Sequence, residues 1–170
     1  MSAMRGLGYA VLLGLAFVVQ VTVFAQFTVG GVAPNLVLIV VVAAAIFRGP
    51  DLAMVLGFCG GLLLDLAPPA DHLAGRWTLA LVLTAFLVGR LRSKPASAFG
   101  IVGIVAAASF VASSLFVFSG WVLGDVSVSA TEALRVILIG VCYDAALTPF
   151  VMPLLARLTR RLRPPRMSVA

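Results

Sequence analysis

The sequence predicts an all-α integral membrane protein with about six transmembrane helices. Three observations predict this fold class: 62% of the residues are hydrophobic, only 11% are charged, and the mean hydropathy is +1.18. Soluble domains contain roughly 45–50% apolar and about 25% charged residues. The apolar residues also form long runs that leave no polar face for water. We therefore expect lipid to surround the helices.

Six apolar runs separated by turn signals define the expected helices, because a bilayer core of about 30 Å needs about 20 helical residues. Two glycines and Pro34 mark a reversal after the first run, and the Pro68-Pro69 pair stops the third. The third and fourth runs are short and need support from their neighbours to cross a bilayer. The expected helices cover residues 7–27, 36–47, 52–66, 77–91, 99–123 and 133–158.

The distribution of basic residues predicts the orientation. Ten of the 12 Lys and Arg residues fall at one set of helix ends, and only Arg76 and Arg135 fall at the other. Basic residues stay cytoplasmic, so we expect both termini inside, which requires an even number of crossings. The expected organisation is a single six-helix domain over residues 1–158 and a short basic cytoplasmic tail over 159–170. Anionic lipid is the expected partner of this tail, and nucleic acid is not an expected partner.

Asp65 is a candidate functional residue because it lies near the outer end of an otherwise apolar helix. Charged residues within a membrane are costly and often functional. A purely structural role would pair Asp65 with Arg76 or Arg135 at the outer face. Both a role in folding and a role in partner contact remain open for this residue.

Asp144 lies deeper, about a third to halfway along the sixth helix. Its structural partners would be Tyr143, Thr148 or a polar residue on a neighbouring helix. Two membrane carboxylates also fit an aspartyl protease, in which they share a proton. Asp65 and Asp144 differ in depth and lack a protease motif, so no catalytic site is expected. Cysteine spacing gives no metal site, and no cofactor is expected.

Glycines and prolines supply the remaining candidates, since small residues let helices approach closely in lipid. Gly57 and Gly61 form a small-xxx-small pattern, and Gly120 and Gly124 repeat it. Such patterns usually pack helices within one chain, and use between chains stays open. Prolines in the last helix remove backbone hydrogen bonds and predict a bend that exposes a groove. The candidate partner-binding or structural residues are Gly57, Phe58, Gly61, Asp65, Asp144, Pro149 and Pro153.

Three segments form a recognisable series along the chain: Gly-Val-Ala-Pro-Asn-Leu at 31–36, Gly-Phe-Cys-Gly-Gly-Leu-Leu-Leu-Asp-Leu at 57–66, and Pro-Phe-Val-Met-Pro-Leu-Leu at 149–155. Together they resemble the rod shape-determining protein MreD family over nearly the whole chain, most specifically at 57–66. Asn35 stands where this family often has an acidic residue, so no charge-based role is expected there.

The resemblance implies a non-enzymatic scaffold in the bacterial cytoplasmic membrane that binds the bitopic protein MreC and supports lateral peptidoglycan synthesis. RodA, a class B penicillin-binding protein and MreB are further implied partners. The family is also similar to the six-helix substrate-binding subunits of energy-coupling-factor vitamin transporters. That similarity gives the alternative, a transporter subunit with a ligand pocket near Asp65, Asp71 and Trp77. A third alternative, an ion carrier, requires a polar track between Asp65 and Asp144.

Overall fold

The computed structural model describes residues 3–68, 72–91, 97–125 and 129–161. Six α-helices account for most of these residues, so the expected all-α class is confirmed. Their ends differ from the predicted ones by a few residues, because apolar runs locate a helix better than its termini. The helices are α1 (Ala3–Thr22), α2 (Leu36–Arg48), α3 (Pro50–Asp65), α4 (Arg76–Leu91), α5 (Ala98–Leu123) and α6 (Ala130–Arg161).

Length divides the helices into two groups. Among the described residues, three stretches are long and apolar enough to cross a membrane: Gly6–Gln26, Ala98–Leu123 and Ala130–Leu158. The first of these joins α1 to a 3-10 turn at Phe24–Gln26. In contrast, α2 has 13 residues, about 20 Å at the helical rise, and α3 and α4 have 16 each. The structure thus supports three membrane-length helices, and six crossings stay a prediction.

The centre of the bundle is α2. It contacts each of the other five helices, and ten consecutive residues from Leu36 to Ala45 are buried. A helix that is apolar on all sides belongs either in a protein core or in a membrane, and here the other five helices surround α2. Tyr9 and Leu13 of α1 belong to the same buried cluster, as do Leu81 of α4 and further residues of α5 and α6.

The most extensive helix pair is α3 with α4. At Gly57, a Cβ atom would lie 3.0 Å from the carbonyl oxygen of Leu81, and at Gly61 it would overlap the backbone of Thr78. A Cβ atom at Gly89 of α4 would likewise overlap Pro50 at the start of α3. The Gly57–Gly61 pattern therefore packs two helices of the same chain.

The Gly120–Gly124 pattern has a different role from the predicted one. Gly124 ends α5 in the left-handed conformation, with φ 69°, and its N–H donates to the Trp121 carbonyl at 3.2 Å. Asp125 N–H donates to the Gly120 carbonyl at 2.9 Å. These bonds are those of a helix C-terminus that glycine closes. Interpreting Gly124 as a packing residue is therefore wrong.

Candidate functional site

Asp144 lies in the middle of α6 and is 2% exposed. Its Oδ1 accepts a hydrogen bond from the backbone N–H of Asn35 at 2.7 Å, and its Oδ2 accepts one from the Ser109 hydroxyl at 2.6 Å. The Thr148 hydroxyl donates to the backbone carbonyl of Asp144 at 2.6 Å instead of to the carboxylate. One carboxylate thus joins α6 to α5 and to the start of α2.

The N-terminus of α2 needs such partners, because the first N–H groups of a helix have none within it. Besides the bond to Asp144, the Asn35 side chain accepts from the N–H of Leu38 at 2.9 Å. Gln20 of α1 accepts from the N–H of Val37 at 3.1 Å. The partial positive charge at a helix N-terminus also favours a carboxylate there. These three side chains allow α2 to begin inside an apolar bundle.

Asp65 performs the same task for α4. It is the last residue of α3 and is 1% exposed. Its Oδ1 accepts from the backbone N–H of Trp77 at 2.9 Å, and its Oδ2 accepts from the backbone N–H and the hydroxyl of Thr78 at 3.0 and 2.7 Å. The expected pairing with Arg76 or Arg135 is therefore wrong, because both oxygens bind the first turn of α4.

Arg76 pairs with a different carboxylate. Its Nη1 donates to Asp125 Oδ2 at 2.6 Å and its Nη2 donates to the Phe116 carbonyl at 2.7 Å. The guanidinium carbon lies 4.0 Å from the centroid of the Phe116 ring. The same ring stacks on Trp77 with centroids 4.4 Å apart, and His72 meets it edge-on at 5.0 Å. These five residues, the α4–α5 cluster, fasten the start of α4 to the end of α5.

Hydrogen bonding holds the pKa of Asp125 below its ordinary value. The largest cause is the backbone N–H of Leu73, which donates to Oδ2 at 3.0 Å. Burial acts in the opposite direction, and Arg76 lowers the pKa further through its hydrogen bond and its charge. Because these contacts favour the charged carboxylate, the pair with Arg76 is stable at neutral pH and weakens only in acid.

Pro149 and Pro153 line an apolar groove between α6 and the start of α5. This proline groove has a volume of about 440 Å³, with Phe47 of α2 and Met152 also in its wall. Both prolines lie inside a continuous α6. Since proline has no N–H, the carbonyls four residues earlier, those of Ala145 and Pro149, lose their helical donors. Both of these residues line the groove, and the lining as a whole is predominantly apolar.

The seven candidates from the sequence fall into two groups that do not meet. In the described part of the chain, α3 and α6 make no contact, and Asp65 and Asp144 share no hydrogen-bond partner. Phe58 is 52% exposed, on the outer surface of α3. The α3 group is Gly57, Phe58, Gly61 and Asp65, and the α6 group is Asp144, Pro149 and Pro153.

Gln20, Thr78 and Phe116 are parts of these sites that sequence reasoning missed. Gln20 carries a detectable signal, because a lone amide in an apolar helix commonly bonds to a neighbouring helix. Thr78 and Phe116 carry no comparable signal, since threonine near a helix start and phenylalanine in an apolar helix are ordinary. Their roles depend on which helices become neighbours.

Within the described ranges, no three His, Cys, Asp or Glu side chains gather in a group that could hold a metal ion. Comparisons with protein-family models, curated proteins and solved structures find no significant match. The observed chemistry of both buried aspartates is hydrogen bonding to the N-terminus of a neighbouring helix.

Proposed function

We propose that the chain is a non-enzymatic scaffold of the bacterial cytoplasmic membrane, of the MreD type, which binds MreC and supports lateral peptidoglycan synthesis. The observation that carries the proposal is the engagement of both buried carboxylates by helix N-termini. Both side chains are buried, and each of their oxygens accepts a hydrogen bond from a neighbouring helix, which supports a structural role. These hydrogen bonds stabilise a fixed arrangement of helices, which is what a scaffold requires.

In the proposed topology, all six helices are embedded and both termini are cytoplasmic. The helices α2, α3 and α4 are shorter than a core of about 30 Å. Exposed apolar side chains of α3 and α4, such as Phe58 and Leu79, then face lipid together with those of α1, α5 and α6. The polar termini of α2 and α4 are then shielded by protein, as membrane-embedded backbone must be. RodA, a class B penicillin-binding protein and MreB are the further proposed partners.

The proline groove is the surface that we propose for the transmembrane helix of MreC. Helices in lipid associate through close packing and hydrogen bonds, because lipid removes the hydrophobic driving force. The lining includes the small residues Ala98, Ala145 and Ala156, which allow another helix to approach closely.

The test is purification of the tagged chain from its own membranes in mild detergent, followed by mass spectrometry of proteins and small molecules that accompany it. We expect an MreC-like bitopic protein together with components of the cell-wall synthase. Recovery of an ATPase module, or of a vitamin-like ligand in equal amount, would overturn the scaffold in favour of the transporter subunit.

Two neighbouring alanines of α6 give a matched test of the groove. Ala145 lines it, whereas Ala146 is exposed and is not part of its wall. We expect Ala145→Leu to reduce recovery of the bitopic partner about 5- to 150-fold, the equivalent of an overpacking cost of about 1–3 kcal/mol. Ala146→Leu should recover the partner as the wild type does, at equal levels of inserted protein. Equal recovery by both variants would exclude the groove as the docking site.

A further inference from the structure

A second apolar groove runs between α1 and α3, and we call it the α1–α3 groove. Its volume is about 450 Å³. The α1 side is low because it consists largely of small residues, and a Cβ atom at Gly14 would meet no other atom within 4 Å. The lining residues used below are Gly6, Tyr9, Leu13, Gly14, Leu52 and Leu66.

The width of this groove decides what fits into it. The floor is closed, because a Cβ atom at Gly60 of α3 would lie 3.2 Å from Leu13 Cδ1 of α1. An α-helix with its side chains is about 10–12 Å wide, and packed helices have axes about 8–10 Å apart. A third helix would therefore rest across this pair, whereas a single hydrocarbon chain can lie along the floor.

The length of the groove also suits a lipid chain. From Leu52 to Leu66 the α3 wall extends about 21 Å at the helical rise, which exceeds half of a bilayer core of about 30 Å. One acyl chain of a phospholipid occupies one leaflet. The α3 wall can accompany such a chain over its full length, and the α1 wall, from Gly6 to Gly14, covers about 12 Å of it.

A positive charge lies near one end of the groove, and the exposed Asp51 in the first turn of α3 carries a charge of the opposite sign. Arg48, the last residue of α2, places its guanidinium carbon 5.7 Å from the centroid of the Tyr9 ring. Tyr9 lines the groove, and Leu52 lies in the first turn of α3, which begins two residues after Arg48. The aromatic ring stabilises the cation at this position. A ligand that complements the groove is therefore apolar along its length and anionic at this end.

We propose that the α1–α3 groove binds one anionic phospholipid, with an acyl chain along the floor and the phosphate at Arg48. A guanidinium binds phosphate through paired hydrogen bonds and keeps its charge at any physiological pH. This inference goes beyond the scaffold function, because it concerns a lipid and a groove that shares no lining residue with the proline groove.

The experiment is native mass spectrometry of the full chain, delipidated in detergent and titrated with phosphatidylglycerol or phosphatidylcholine of the same chain length. We expect one phosphatidylglycerol to bind at least about fivefold more tightly than phosphatidylcholine. Arg48→Gln should remove this preference, and Gly14→Leu should weaken binding of both lipids by filling the groove.

Arg90→Gln is the matched control. The Arg90 guanidinium also stands over an aromatic ring, 5.3 Å from the centroid of Phe86, but neither residue lines the α1–α3 groove. This variant should bind phosphatidylglycerol as the wild type does. Equal affinities of the Arg48 and Arg90 variants for phosphatidylglycerol would overturn the proposal.

Two further results would also overturn it. Glycerol phosphate that competes as well as the lipid would mean that the anion alone is recognised. Loss of the bitopic partner from Gly14→Leu, with lipid binding unchanged, would make the groove a protein surface. Thermal unfolding of each variant separates a binding loss from a folding loss, and Arg48→Gln, at a half-buried position, serves if Gly14→Leu does not fold. Recovery of the bitopic partner with the wild-type chain tests the scaffold independently.

Discussion

The helices α2 and α4 both begin against an aspartate, but the two aspartates reach them over very different distances along the chain. Asp65 lies 12 and 13 positions before the residues whose N–H groups it binds, so this cap closes within one helical hairpin. Asp144 lies 109 positions after Asn35 and also binds Ser109 of α5. The same hydrogen bonds thus fix a local hairpin at α4 and the assembly of the whole bundle at α2.

The largest effect is expected at the remote cap. Asp144→Leu leaves the Asn35 N–H and the Ser109 hydroxyl without an acceptor in an apolar interior. Each unsatisfied donor costs about 1–3 kcal/mol, so we expect the free energy of unfolding to fall by about 3–5 kcal/mol. Thermal unfolding of the purified protein in detergent measures this change. Asp144→Asn keeps an acceptor oxygen and should lose less.

If Asp144→Leu and Asp65→Ala lower the free energy of unfolding by the same amount, the two caps do not differ as we expect. The expected difference is also contradicted if Asp144→Leu destabilises only the start of α2 and leaves the contact between α5 and α6 intact. Hydrogen exchange at backbone amides of α2, α5 and α6 distinguishes a local opening from a general one.

A smaller loss is expected from the close approach of α3 and α4. A Cβ atom at Gly61 would overlap the Thr78 backbone, and the two helices must separate to admit it. We expect Gly61→Ala to lower the free energy of unfolding by about 2–3 kcal/mol, near the upper end of overpacking costs. Gly14→Ala is the control, because a Cβ there meets no other atom within 4 Å. A similar loss in both variants would show that helix flexibility, not the contact, is responsible.

The local cap comes next in size. Asp65→Ala removes the acceptor for the Trp77 and Thr78 N–H groups and for the Thr78 hydroxyl. All three bonds are only part-buried, so water can replace the lost acceptor, and we expect the cost of an ordinary cap, about 0.5–2 kcal/mol. Amide exchange at residues 77 and 78 should accelerate, while exchange at Asn35 stays slow. Protection of Asn35 that falls in parallel would mean that the two caps act as one unit. If Asp65→Ala folds as stably as the wild type but loses its bound partners, Asp65 acts in partner contact.

The smallest effect is expected from acid at the α4–α5 cluster. Since the pKa of Asp125 is lowered in the folded protein, its bonds add stability above the unfolded carboxyl pKa, about 3.9. This contribution is lost as the pH falls from there through the lowered pKa. Asp125→Asn should flatten this part of the pH profile of unfolding. A profile identical to that of the wild type would exclude Asp125 as its origin.

The sequence predicts the positions of the helices well because apolar runs and breakers such as Pro34 and Pro68 are local signals. It does not predict that α2 is the centre of the bundle, although an apolar run without a polar face is consistent with complete burial. Gly124 shows a further limit, since a glycine near a helix end suits both close packing and a C-terminal cap. The conformation of its backbone decides between them.

The site was predictable in its residues but not in its bonds. Asp65 and Asp144 stand out because each is a charge in an apolar run. Their partners are backbone N–H groups, which every residue possesses, so the sequence contains no label for them. Arg76 is an example. Among the described residues, the carboxylate nearest to it along the chain is Asp65, but Arg76 pairs with Asp125.

The cap of α2 by Asp144 also sets an order of events during synthesis. The 109 residues between Asn35 and Asp144 take roughly 5–20 s to translate at about 5–20 residues per second. Over that time the start of α2 has left the ribosome without its final hydrogen-bond acceptor. The start of α2 must therefore remain without this acceptor until the last helix has been made.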